Sequence, residues 1–76
     1  MITVKYFASL RETLGRDRDT LDADSVATVQ DVWSKVADNS ALPSHLLIAV
    51  NMAYADPQHP VKDGDEVAFF PPVTGG

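Results

Sequence analysis

Cysteine is absent from all 76 residues, which removes disulfides, thiolate metal sites and thiol nucleophiles together. Any sulfur chemistry must therefore use a group other than a side-chain thiol. Long apolar runs are missing too: nothing approaches the roughly 20 residues that span a bilayer. Met1-Ile2-Thr3-Val4-Lys5 lacks the shape of a signal peptide, so no membrane is expected and the cytoplasm is the expected setting. Positive charge is scarce, with 6 Lys and Arg against 11 Asp and Glu, a net charge of −5 and a pI near 4.6. That balance disfavours nucleic acid and anionic lipid and favours basic protein partners. Glycine occurs only at Gly15, Gly64, Gly75 and Gly76, and no Gly-rich cluster opens a helix, so no phosphate-binding loop is present. The two histidines, His45 and His59, lack ligand spacing to each other or to paired carboxylates, and no metal is expected. Ser44, His45 and Asp56 or Asp63 supply the residue types of a hydrolytic triad. A triad also needs an oxyanion hole in a cleft, and a chain this small buries only about 60% of its unfolded surface.

What is present reads as one globular domain, 45% apolar and 22% charged. Ile2, Val4 and Tyr6 alternate with Thr3 and Lys5, predicting a half-buried first strand that runs toward Phe7. Ser9-Leu10-Arg11-Glu12 has capping-box spacing, predicting one short helical turn that Gly15 stops. Arg16 to Asp22 is charged, with Thr20 and Leu21 its best strand formers, predicting an edge strand. The acidic run from Asp17 to Asp24 then reads as a solvated border. Val29, Val32, Trp33 and Val36 form the stripe of the main amphipathic helix, capped by Thr28, with Trp33 in the core. Leu46 to Val50 is continuously apolar and predicts a central strand covered on both faces. Asn51 to Tyr54 predicts a tight reversal into a short strand, Asp56 to Pro60 a loop, and Asp63-Gly64-Asp65 a turn into a last strand, Glu66 to Phe70.

The expected architecture is α+β: a mixed sheet on one main helix, with first and last strands as neighbours. Residues 1–70 form the body and 71–76 an extended, flexible tail. Phe69 and Phe70 point to opposite faces of their strand, so one packs on the helix while the other packs elsewhere or anchors a partner. Pro71 and Pro72 end sheet pairing and favour polyproline II. Six extended residues at about 3.3 Å each reach roughly 20 Å. Without Cβ atoms, Gly75 and Gly76 fit a channel too narrow for side chains. The expected reactive group is the α-carboxylate of Gly76, presented to another protein's active site.

The stretch from Asp63 to Gly76, Asp-Gly-Asp-Glu-Val-Ala-Phe-Phe-Pro-Pro-Val-Thr-Gly-Gly, resembles the C-terminal signature of the MoaD-type sulfur carriers, the small subunits of molybdopterin synthase. Tyr6 to Glu12 resembles their N-terminal Phe-Ala-x-x-Arg-Glu segment, and Ala49-Val50-Asn51 their central strand. The resemblance implies a ubiquitin-like β-grasp fold. It implies that an ATP-dependent, E1-like activating enzyme adenylates Gly76 and that a sulfur donor enzyme converts it to a thiocarboxylate. The large synthase subunit would then pass the sulfur to cyclic pyranopterin monophosphate. ATP belongs to the activating enzyme, and this chain binds no cofactor of its own. By position, Gly76 bears the sulfur and Gly75 is the slim approach. Arg11, Phe7, Phe69 or Phe70, and Pro71, Pro72, Val73 and Thr74 meet the partner. Two alternatives share the Gly-Gly end: a thiamine-type sulfur carrier and a ubiquitin-like modifier joined to lysines through Gly76.

Overall fold

The computed structural model describes residues 1–72. Its elements are strand β1 (Ile2–Tyr6), helix α1 (Ser9–Leu14), β2 (Arg18–Leu21), a 3-10 turn (Ala23–Ser25), helix α2 (Val29–Val36), β3 (Leu47–Val50), β4 (Ala53–Tyr54) and β5 (Glu66–Phe70). They form one five-stranded sheet in the order β2-β1-β5-β3-β4. β1 and β5 run parallel, with Thr3 opposite Glu66 and Tyr6 opposite Phe69, and the other pairings are antiparallel. This is the β-grasp architecture: a mixed sheet curled over one main helix.

α2 covers one face of the sheet. Its Val29, Val32, Trp33 and Val36 meet Ile2, Val4 and Tyr6 of β1, Ile48 and Val50 of β3, and Val67 and Phe69 of β5 in a single buried cluster. The helix starts at a full capping box: the Thr28 hydroxyl accepts from the Asp31 N–H, and the Asp31 carboxylate accepts from the Thr28 and Ala27 N–H groups. Those donors hold the Asp31 carboxyl below its ordinary pKa.

Two expectations need correcting. The Ser9/Glu12 capping box does not form. Ala8 is the N-cap, with φ 54° and ψ −135° and no side-chain cap, and the Leu10 N–H donates to the Phe7 carbonyl. The chain therefore enters α1 through a tight turn, and Ser9 is already helical, its carbonyl accepting from the Thr13 hydroxyl at 3.0 Å. The run Leu46–Val50 gives an interior strand, paired with both β5 and β4, but it is not covered on both faces. β5 takes the middle, and a single layer of helix covers one side, so Ile48 and Val50 are buried while Leu47 and Ala49 are only half-buried. A continuous apolar run is the sign of double burial, but here its outward residues serve the open face.

The acidic border is also less solvated than its composition suggests. The Tyr6 hydroxyl donates to Asp19 at 2.7 Å, Arg16 pairs with the same carboxylate, and an Arg16 Nη donates to the Val36 carbonyl at 2.6 Å. Burial first, and Asp19 second, push the Tyr6 hydroxyl far above its usual pKa, so it keeps its proton and remains a donor. This knot ties β2 to β1 and closes the end of α2.

A second knot sits at the start of β5. Asp65, 4% exposed, accepts from Asn51 Nδ2 at 2.9 Å, the Lys62 N–H at 2.9 Å and Lys62 Nζ at 3.1 Å. Asn51 Oδ1 accepts in turn from the Glu66 N–H at 2.9 Å. Asn51 and Met52 have φ of 51° and 71°, the two positive values that a two-residue hairpin between β3 and β4 requires. Gly64 (φ 90°) makes the turn before Asp65 and donates to the Met1 carbonyl. Hydrogen bonds, from Asn51 first, hold the Asp65 carboxyl below its ordinary pKa.

Because the folded-state pKa is depressed, the stabilisation from Asp65 is complete above the unfolded value of about 3.9 and is lost as pH falls through the lower folded value. Asp65→Asn should cost about 2 kcal/mol at neutral pH, the penalty for mispaired buried donors. Urea titrations of both proteins between pH 7 and pH 2 check this, and the difference between them should shrink below pH 4.

Candidate functional site

β5 is hydrogen-bonded on both edges, so the chain that follows it has no free edge of that strand to extend. Pro71 and Pro72 lack N–H donors, and the strand ends at Phe70. The site is therefore the end of β5 and the sheet face beside it.

Alternation along β5 separates its two aromatic residues. Phe69 is fully buried, its ring edge-on to Trp33 with centroids 5.1 Å apart and planes at 66°. Its expected role against a partner is thus corrected: the side chain belongs to the core. Phe70 lies on the open face, edge-on to Phe7 (6.5 Å, 83°) and tilted against Tyr54 (6.2 Å, 40°). Phe7, 46% exposed, follows β1, and its N–H donates to the Phe69 carbonyl at 3.3 Å. The first and last strands are neighbours as expected, and their pairing is carried one residue further by Phe7.

Together these rings line a shallow groove of about 610 Å³ with Ala49, Ala68, Met52, Lys5 and Glu66. Met52 and Tyr54 are 94% and 79% exposed. Neither residue stands out in the sequence. Met52 stands at the second position of the positive-φ hairpin, which throws it into solvent, and Tyr54 pairs with Ala49 on the open face. The alternation of β3 continued across a two-residue turn was the signal that could have found Tyr54. Arg11 is exposed on α1 and forms no ion pair among the described residues. Pro71 is half-buried and Pro72 exposed, while Val73, Thr74, Gly75 and Gly76 lie outside the described residues.

Other chemistry finds little support in this geometry. Ser44 and His45 are exposed before β3, Asp56 accepts from the Gln58 N–H, and Asp63 pairs with the Met1 amine. Among the described residues, no three His, Asp or Glu side chains gather as a metal site, and no helix is long and apolar enough to cross a membrane. What the face offers is a rigid aromatic anchor beside a chain end leaving the sheet.

The model of the ThiS family matches residues 4–76. The molybdopterin synthase sulfur carrier subunit of Escherichia coli (strain K12) is 44% identical to this chain over 81 residues, and that of Haemophilus influenzae 43% over 82, each with 100% of both chains covered. The crystal structure of SAMP1 from Haloferax volcanii is similar with a TM-score of 0.81 at 30% identity, covering 99% of this chain and 98% of that one.

Phe69→Ala should cost about 3–5 kcal/mol, as core Phe truncations do. Phe70→Ala removes only part-exposed area and two aromatic contacts and should cost less than ~2 kcal/mol. Urea denaturation followed by Trp33 fluorescence separates the two, and equal losses would contradict the assignment of faces.

Proposed function

We propose that this chain, which belongs to the ThiS family, is the sulfur carrier subunit of a molybdopterin synthase. The observation that carries the reading is the full-length match to the Escherichia coli carrier subunit. The structure supports it by ending the central strand at Pro71-Pro72 beside an exposed aromatic face.

The reactive group is the Gly76 carboxylate. Ionised at neutral pH, it is a poor acyl electrophile, so an ATP-dependent activating enzyme joins it to the adenylyl group, with pyrophosphate leaving. Sulfur at the sulfide level, delivered by a donor enzyme, then attacks the acyl carbon and expels AMP, leaving a thiocarboxylate. In the large synthase subunit the thiocarboxylate sulfur bonds to a carbon of cyclic pyranopterin monophosphate as a carbon–oxygen bond there breaks, leaving a thioester to Gly76 that is then hydrolysed. Water supplies the oxygen that returns Gly76 to a carboxylate for another cycle. The chain acts as a recycled co-substrate in the cytoplasm. Its own contribution is recognition and delivery: Phe7, Phe70 and Tyr54 seat the partner, Arg11 adds a charged contact, and residues 71–76 thread the reactive end. Phe69 and Trp33 hold β5 in place beneath.

Incubation with an activating enzyme, ATP and a sulfur donor should shift the intact mass by the exchange of one oxygen for sulfur at the C-terminus. One residue appended after Gly76 should abolish that shift and sulfur transfer while leaving the melting temperature unchanged. A capped chain that still transfers sulfur would refute the reading, and lysine-linked conjugates without thiocarboxylate would favour a protein modifier.

A further inference from the structure

The open face is not uniformly apolar. Its β2–β1 flank carries Lys5 directly opposite Arg18 in the strand register, two cations side by side on the sheet surface. Like charges in that position destabilise an antiparallel pair. The chain has 11 carboxylates to place against 6 cations, yet the compensation here is slight. Lys5 reaches Glu66 at 3.5 Å, and Arg18 has no ion pair among the described residues. The neighbouring Asp19 faces the other way, held by Tyr6 and Arg16. Lys5 also lines the aromatic groove, so the cationic strip and the apolar anchor are one continuous surface.

We infer that Lys5 and Arg18 are the orienting flank of the docking face, selecting a protein partner that sets a carboxylate beside the apolar side chain it lodges among Phe7, Phe70 and Tyr54. The inference rests on the sulfur-carrier reading and names the chemistry of the surface that receives the face. A protein carboxylate fits better than a polyphosphate, because the adjoining groove is apolar and the net charge of −5 repels polyanions. The local strip also reverses what net charge alone suggests: the body is acidic, but the docking face asks for an acidic partner.

The test is the binding kinetics of the unaltered chain, Arg18→Glu and Lys35→Glu to the purified large synthase subunit between 50 mM and 500 mM salt. Lys35 lies on α2, so its reversal makes the same change in net charge away from the sheet face. Arg18→Glu should lower the association rate about tenfold and flatten the loss of binding with salt, whereas Lys35→Glu should change the rate less than about twofold. Because Glu at position 18 would face Lys5, the melting temperature of Arg18→Glu should be no lower than that of the unaltered chain, which separates lost recognition from lost folding. Equal effects of the two reversals, or no effect of Arg18→Glu, would overturn the inference while leaving the carrier reading intact. Failure of the unaltered chain to bind would overturn that reading, and the inference with it.

Discussion

The structure depends on β5 being paired along both edges. A strand in the middle of a sheet is held by ladders on two sides, to β1 in parallel and to β3 antiparallel. It therefore resists fraying far better than an edge strand would, although it lies close to the chain's end. That placement fixes the alternation of its side chains: Val67 and Phe69 must go to the helix layer, and Glu66, Ala68 and Phe70 to the open face. It also means that a pull on the chain beyond Phe70 is resisted by the whole sheet. A carrier that hands its end to another protein needs this stiffness, since ordering a loosely attached segment at each encounter would cost conformational entropy.

Two polar knots keep the sheet from slipping, and each sits where the apolar pattern alone is weak. β4 is only two residues long, so its register depends on the hairpin, and Asn51 fixes that hairpin by bonding both Asp65 and the backbone of Glu66. β2 buries little, so its register depends on Tyr6, Asp19 and Arg16. A one-residue slip would turn every side chain to the wrong face. Hydrogen-bonded carboxylates are well suited to prevent it, because a mispaired buried carboxylate costs more than a correctly paired one contributes.

Much of this was legible in the sequence, and the reasons are local. Period-2 alternation at Ile2–Tyr6, the i, i+3, i+4, i+7 stripe at Val29–Val36, the Thr28 cap and the Gly64 turn are all signals contained within a few residues. What periodicity could not supply was which side of the sheet would stay bare. Leu47 and Ala49 look like core from their neighbours, and only the single helix layer leaves them outward. The choice between Phe69 and Phe70 needed the register against Trp33. Met52 joins the site only through the hairpin that sets it beside the groove, and Tyr54, which alternation across the turn could have placed on the open face, meets Phe70 sixteen residues away. The Asp65 and Asp19 networks escaped notice because their partners are joined by folding rather than by spacing.

The acidic body and the cationic flank perform separate tasks, and the separation follows from range. Exposed aromatic surface of this kind is a liability in an unbound protein, because two copies could cover each other's grooves. A net charge of −5 on so small a body opposes that encounter at distances up to the Debye length, about 8 Å at physiological salt, without any specific contact. Lys5 and Arg18 act at contact distance, where geometry matters and a carboxylate of the right partner can meet both. Long-range repulsion between copies and short-range attraction to one partner then coexist on a single face. Lys5 already leans on Glu66, so it is Arg18, without an ion pair among the described residues, that a partner's carboxylate would neutralise, easing the repulsion between the two cations.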